Sequence, residues 1–202
     1  MGRSLLHYIR VIFGLDQPQT QTTEAERSSL GRWASEAKVI VEIGVYEGFT
    51  TRFLAERSAT DTVIYGVDPF FAGRLGPCWG ELIARHALRP YLRDGRVVLL
   101  KMKSDEVSDQ IGAPIDFVFI DADHSWEGIS SDWAKWADIL RGGGIIALHD
   151  AVFDASRNSA RRYGSHEFFE KVVKNDARYE ILETVGSLVV LQKSDRVEST
   201  DQ

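Results

Sequence analysis

The sequence predicts an α/β protein built on a doubly wound parallel sheet. Five short apolar runs, 39–43, 63–67, 97–100, 115–120 and 145–148, are continuous rather than alternating, as in strands buried on both faces. Amphipathic, helix-spaced segments separate them, which is the rhythm of a layered α/β domain.

Ahead of the first strand, Leu5, Leu6, Ile9, Ile12 and Phe13 recur at helical spacing, interrupted by His7 and Arg10. This short amphipathic helix covers the domain, pairs with a second copy as a homodimer, or touches a membrane surface; a single basic residue within it favours the first two. A polar linker over 16–23 leads to a second helix over 24–37. Residues 1–23 thus form an N-terminal helix and linker, 24–193 the main domain and 194–202 a polar tail.

Between the last two runs, Trp126, Ile129, Trp133, Trp136 and Leu140 form one stripe facing the core, while Asp132, Lys135 and Asp138 fall elsewhere. Gly142, Gly143 and Gly144 are expected to end that helix and release the chain into the next strand. Beyond a loop carrying Arg157, Arg161 and Arg162, Ser165 is expected to cap a helix over 166–175. The segments 179–184 and 188–192 flank the Val185-Gly186-Ser187 turn and read as an antiparallel hairpin on the sheet edge.

With 202 residues, 44% of them hydrophobic and 27% charged, the chain can bury one sizeable core. Lysine plus arginine number 24 and aspartate plus glutamate 30, so the net charge is 24 − 30 = −6, which argues against nucleic acid as the main partner. No apolar run approaches the ~18 residues of a membrane span. One cysteine, Cys78, leaves no internal disulfide and no cysteine-cluster metal site, and a reducing, cytoplasmic setting is the expectation.

In an open α/β sheet, ligands bind beyond the carboxyl ends of the strands. Those ends read Glu42-Ile43-Gly44, Asp68, Lys101 to Asp105, Asp121-Ala122-Asp123-His124 and His149-Asp150. Core packing does not place carboxylates there, because an unpaired buried charge is costly. Gly44 and Gly48 let the first turn pass close to a ligand, but Tyr46 stands where a dinucleotide fingerprint needs its second glycine. Asp68 at the second strand end suits a carboxylate that accepts from both ribose hydroxyls, so glycine turn and acid together favour a nucleoside ligand.

The motifs VEIGVYEGFTT, FIDADHSWEG and GGIIALHD, in that order, resemble the class I S-adenosylmethionine-dependent methyltransferases. More narrowly they resemble small bacterial O-methyltransferases related to macrocin O-methyltransferase, and more distantly catechol O-methyltransferase. The resemblance covers residues 24–193. It implies a Rossmann-like, seven-stranded, mostly parallel sheet with the last strand antiparallel. It also implies that Glu42, Gly44 and Gly48 line the methionine end of the cofactor, that Asp68 holds the ribose, and that Ser104 and Asp105 lie near the adenine.

Methyl transfer from a sulfonium to a hydroxyl needs alignment, plus a base or a Lewis-acid metal to make the oxygen nucleophilic. Asp121 and Asp150, at neighbouring strand ends, offer hard oxygen donors of the type Mg²⁺ or Mn²⁺ prefers. His124, one turn along, is placed to take the hydroxyl proton, with Asp121 bordering both cofactor and acceptor. The relatives named bind a divalent cation through an aspartate matching Asp121 and an adjacent acidic or amide pair. Here the pair is His149-Asp150 or Asp150-Ala151, so one usual oxygen ligand is missing. A histidine ligand shifts preference toward a transition metal, or the site holds none.

Each residue also has a plain reading. Asp121 and Asp123 serve as helix-capping acids, Glu127 as a first-turn acid, and His124 and His149 as satisfied rim histidines. Phe70, Phe71, Trp79 and Trp126 wall the substrate or simply pack. The expectation is a cytoplasmic S-adenosylmethionine-dependent O-methyltransferase acting on a small-molecule hydroxyl, of sugar or phenol type, with divalent-metal assistance. Its rivals are a non-catalytic nucleoside-binding module and a nicotinamide oxidoreductase.

Overall fold

The computed structural model describes residues 5–71, 77–107, 110–112, 114–154 and 163–195. The expectations for Arg157, Arg161 and Arg162 and for most of the tail lie outside those residues. The chain runs α1 (Leu5–Ile12), α2 (Glu24–Ala34), β1 (Val39–Ile43), α3 (Phe49–Arg57), β2 (Val63–Val67), α4 (Trp79–Ala87), α5 (Arg89–Arg93), β3 (Val97–Leu100) and α6 (Ser104–Val107). It continues through β4 (Ile115–Ile120), α7 (Trp126–Ile139), β5 (Leu140–Leu148), α8 (Gly164–Lys171), a 3-10 turn, β6 (Tyr179–Val185) and β7 (Leu188–Lys193).

One seven-stranded sheet has the order β3-β2-β1-β4-β5-β7-β6. The first five strands are parallel, and β7 runs antiparallel between β5 and β6. The order reverses between β1 and β4, so the carboxyl ends of those strands open the crevice where such sheets take ligands. Side chains alternate across the sheet. Val41, Ile43, Val118, Ile120 and Ile146 pack with Trp133 and Trp136 of α7 and Phe168 of α8. Ile40, Ile64, Phe117, Phe119 and Ala147 pack with Leu30 of α2, Leu54 of α3 and Ala84 of α4. Each large side chain so buried stabilises the fold by about 1.5–3 kcal/mol.

Three local expectations need correction. Helix α7 stops at Ile139, and Leu140 already pairs with Ile115 as the first residue of β5. The glycines 142–144 therefore lie inside the strand, where the register shifts between Ile115 and Phe117; Gly143, at φ 66°, takes a conformation glycine adopts without strain. Asp132 is buried rather than outward. Ser165 does not cap α8, which begins at Gly164 after Tyr163; its hydroxyl donates to the Asp150 carbonyl at 2.6 Å.

Helix α1 lies against α4. Its polar-side residue His7 and Val11 are buried, whereas Leu5, Leu6, Ile9, Ile12 and Phe13 are exposed. No helix among the described residues is long and apolar enough to cross a membrane.

Candidate active site

The first strand end is shaped by close approach. Gly44 has φ 95°, and a Cβ there would lie 2.1 Å from the Asp121 carbonyl oxygen, so only glycine lets β1 and β4 end side by side. The Asp68 carboxylate then gathers the turn: Val45 and Tyr46 donate their N–H groups to Oδ2 at 3.1 and 3.0 Å, and Phe70 donates to Oδ1 at 2.7 Å. Tyr46, Phe70 and Asp150 all have positive φ, which places backbone strain at the ends of β1, β2 and β5. Gly48, at φ 79°, precedes α3 without any side-chain cap.

Glu42 points from β1 toward α3 and is buried. Thr51 donates its hydroxyl to Oε2, while Oε1 has no hydrogen-bond partner among the described residues. Burial pushes this carboxyl up to about 8; the Thr51 bond opposes the rise and the charges of Asp121 and Asp68 add to it. Glu42 is thus a buried acid at the end of β1 whose surroundings favour the protonated form and leave one oxygen unpartnered among the described residues.

The N-terminal segment closes over this loop. His7 Nε2 lies 3.0 Å from Glu47 Oε2 and Nδ1 lies 3.0 Å from Asp16 Oδ2. Gln19 donates its N–H to Glu47 at 2.6 Å, and Tyr46 donates its hydroxyl to Gln19 at 3.1 Å. Burial alone would lower the His7 pKa, but Glu47 and Asp16 outweigh it and hold it raised.

At the β4 and β5 ends, the four rim residues expected from sequence do meet. His124 Nδ1 lies 3.2 Å from Asp150 Oδ2 and its Nε2 lies 3.5 Å from Asp121 Oδ1. Behind them, His149 Nδ1 lies 3.0 Å from Asp121 Oδ1, and Nε2 lies 3.5 Å from Glu26 Oε2 and 3.4 Å from Ser187 Oγ. Burial by itself would lower the His149 pKa; Asp121, Glu26 and Asp150 reverse this and push it up to about 10. Asp150, despite burial, is held down at about 2 by His124 and His149. His124 and its ring neighbour Tyr163, 4.9 Å away between centroids, open onto a cleft of about 570 Å³ that Gln21, Asp123 and Ser125 also line. A second cleft of about 860 Å³, lined by Ala151, Val152, Phe153 and His166, meets the first at Tyr163.

The expected metal ligands Asp121, His149 and Asp150 come together, but their donor atoms face one another. Among the described residues no group of three or more His, Cys, Asp or Glu side chains is arranged to hold a metal ion. Both nitrogens of His149 face oxygen acceptors, and Ala151 supplies no side-chain oxygen. This donor set does not fit a divalent cation.

Ser104 and Asp105 open α6. Ser104 donates its hydroxyl to the buried Asp132 of α7, whose carboxyl burial pushes up to about 6 against that bond, with the charges of Asp123 and Asp105 adding. Asp123 accepts from the Ser125 N–H at 2.9 Å, and it is Ser125 that caps α7, through Gly128 N–H at 3.0 Å. The aromatic residues do not form one wall: Trp79 packs on Tyr8 of α1 and Trp126 on Phe168 of α8, while Phe70 is buried and Phe71 exposed.

Sequence reasoning missed Glu26, Ser187 and the His7–Glu47 contact. Only Glu26 carried a local signal. Thr23 and Glu26 form a capping box, with Thr23 N–H donating to Glu26 at 2.7 Å and Glu26 N–H to Thr23 Oγ1 at 3.3 Å.

A family model described as a methyltransferase domain matches residues 41–151. Catechol O-methyltransferase from Mycobacterium tuberculosis (strain ATCC 25618 / H37Rv) is 28% identical over 144 residues, which are 66% of this chain and 63% of that protein. The match therefore spans less than two thirds of the relative's length. Two solved structures share the fold. The O-methyltransferase TomG from Streptomyces achromogenes, involved in tomaymycin synthesis and in complex with SAM, superposes with TM-score 0.66 at 17% identity over 94% of this chain and 89% of that one. The O-methyltransferase from Bacillus cereus in complex with SAH gives TM-score 0.62 at 21% identity over 94% and 90%.

Proposed function

The chain belongs to the methyltransferase domain family, and on that premise we propose that it transfers a methyl group from S-adenosylmethionine to a hydroxyl oxygen of a small molecule. One observation supports the reading: Gly44 of the glycine turn, which Asp68 gathers, comes up against the Asp121 backbone, and the Asp121 carboxylate lies 3.5 Å from His124, which lines the cleft. A donor seated on the glycine turn and an acceptor in the cleft would meet there.

The donor's sulfonium supplies the methyl electrophile. Glu42, Gly44 and Gly48 border its amino-acid end, Asp68 the ribose, and Ser104 and Asp105 the adenine. His124 then acts on the acceptor. With its Nδ1–H donated to Asp150, Nε2 keeps a lone pair to take the hydroxyl proton as the oxygen–carbon bond forms and the carbon–sulfur bond breaks. Asp121, 3.5 Å from Nε2, stabilises the imidazolium so formed. Sugar and phenol hydroxyls both suit this chemistry. The divalent cation expected from sequence has no role in these steps.

The test is calorimetric titration with S-adenosylhomocysteine, followed by methyl transfer from labelled donor to a panel of sugar and phenol acceptors. His124→Ala is expected to leave donor affinity within about twofold and to lower turnover by about 10²–10⁴-fold. Absence of donor binding, or unchanged turnover in that variant, overturns the proposal.

A further inference from the structure

The residues expected to hold a divalent cation are joined into a hydrogen-bonded chain that starts outside the rim. Glu26, buried in the first turn of α2, accepts at Oε1 from the N–H and hydroxyl of Ser187, both at 2.9 Å, and places Oε2 3.5 Å from His149 Nε2. The fully buried His149 side chain carries the contact onward to Asp121 Oδ1 at 3.0 Å. A histidine coordinates metal through a ring-nitrogen lone pair, and here each nitrogen already faces an acceptor. His124 is set between Asp121 and Asp150, so its ring fills the approach by which an ion would bridge the two carboxylates.

We propose that the Glu26–His149–Asp121 chain stands in place of the divalent cation. His149 is a positioning residue that fixes Asp121 from behind, and the site works without a bound metal. This rests on the methyltransferase reading for its reaction, but not for its ion-binding test. Two carboxylates on one rim need N–H donors or a cation between them. The two imidazoles supply the donors, from inside the fold and from the cleft wall.

The test uses the full chain, stripped with chelator and titrated with Mn²⁺ in the presence of S-adenosylhomocysteine. Free Mn²⁺ is read by electron paramagnetic resonance for the unaltered protein and for Asp121→Asn. Identical curves are the expected result, together with methyl transfer that chelator changes by less than about twofold. A saturable site of one ion per chain that Asp121→Asn removes overturns the proposal. For the positioning role, His149→Ala is expected to lower kcat at least tenfold at unchanged donor KM, and His149→Asn, which keeps an N–H donor near the Nδ1 position, to restore part of it. Equal losses in the two folded variants overturn that role. Calorimetry with S-adenosylhomocysteine stands apart: its failure sinks the functional reading and leaves the Mn²⁺ result intact.

Discussion

His149 Nδ1 lies 3.0 Å from Asp121 Oδ1, and the same ring reaches toward Glu26 through Nε2. Removing the imidazole leaves two carboxylates facing a buried gap. His149→Ala is expected to cost about 3–5 kcal/mol in urea unfolding near pH 6, the range for breaking a buried ion pair. The folded pKa, at about 10, lies above the free value of 6.5. The stabilisation is therefore complete below about pH 6.5 and fades as pH rises through 10. Unfolding curves across that window check it, and a gap between protein and variant that stays constant to pH 10.5 contradicts it.

Glu42 behaves as a destabilising group in base. Its folded pKa of about 8 exceeds the usual 4.5, so the native state favours the neutral acid and loses that advantage as pH climbs from 4.5 through 8. Glu42→Gln mimics the neutral form. It is expected to melt close to the unaltered protein at pH 5 and at least about 3 °C higher at pH 9. Differential scanning calorimetry at the two pH values reads this, and parallel pH dependence of the two proteins counts against it.

At Gly44 the expectation is steric. Alanine there combines a positive φ with a 2.1 Å approach to the Asp121 carbonyl oxygen. Gly44→Ala should cost at least about 2 kcal/mol. It should also weaken S-adenosylhomocysteine binding, because β1 and β4 must part. Gly95→Ala, also at positive φ but with nothing within 4 Å of its new Cβ, is the control. Equal losses at both positions would assign the effect to backbone conformation alone.

Asp68 has two tasks in this scheme, gathering the glycine turn through three N–H groups and holding the ribose. Asp68→Ala is expected to weaken S-adenosylhomocysteine binding about 10–100-fold, equivalent to about 1.4–2.8 kcal/mol. Calorimetric affinity within twofold of the unaltered protein removes it from the donor site.

The strands were legible because a parallel sheet needs continuous apolar runs: 39–43, 63–67, 97–100 and 115–120 match the observed bounds. The polar strand ends were legible too, since Glu42, Asp68, Asp121 and Asp150 have no packing reason to stand there. Sequence misjudged Leu140, where the pairing with Ile115 overrides helix periodicity. It misjudged Asp132, because the Ser104 hydroxyl that makes its burial tolerable comes from the start of a different helix, α6. Helix α1 gave the right periodicity, but which side packs inward was not legible: His7 is drawn in by Asp16 nearby and by Glu47, forty positions away. Glu26 went unread: its capping box with Thr23 is local, but the Ser187 that it also binds stands 161 positions away.

That separation has a consequence for synthesis. A chain leaves the ribosome amino end first, at about 5–20 residues per second. Glu26 therefore emerges well before Ser187 can meet it. During that interval the carboxylate lacks its distal partner. Nascent chains halted ahead of the β6–β7 turn should be open to proteases around α2, and protection there should arrive in one step once the turn has cleared the exit tunnel.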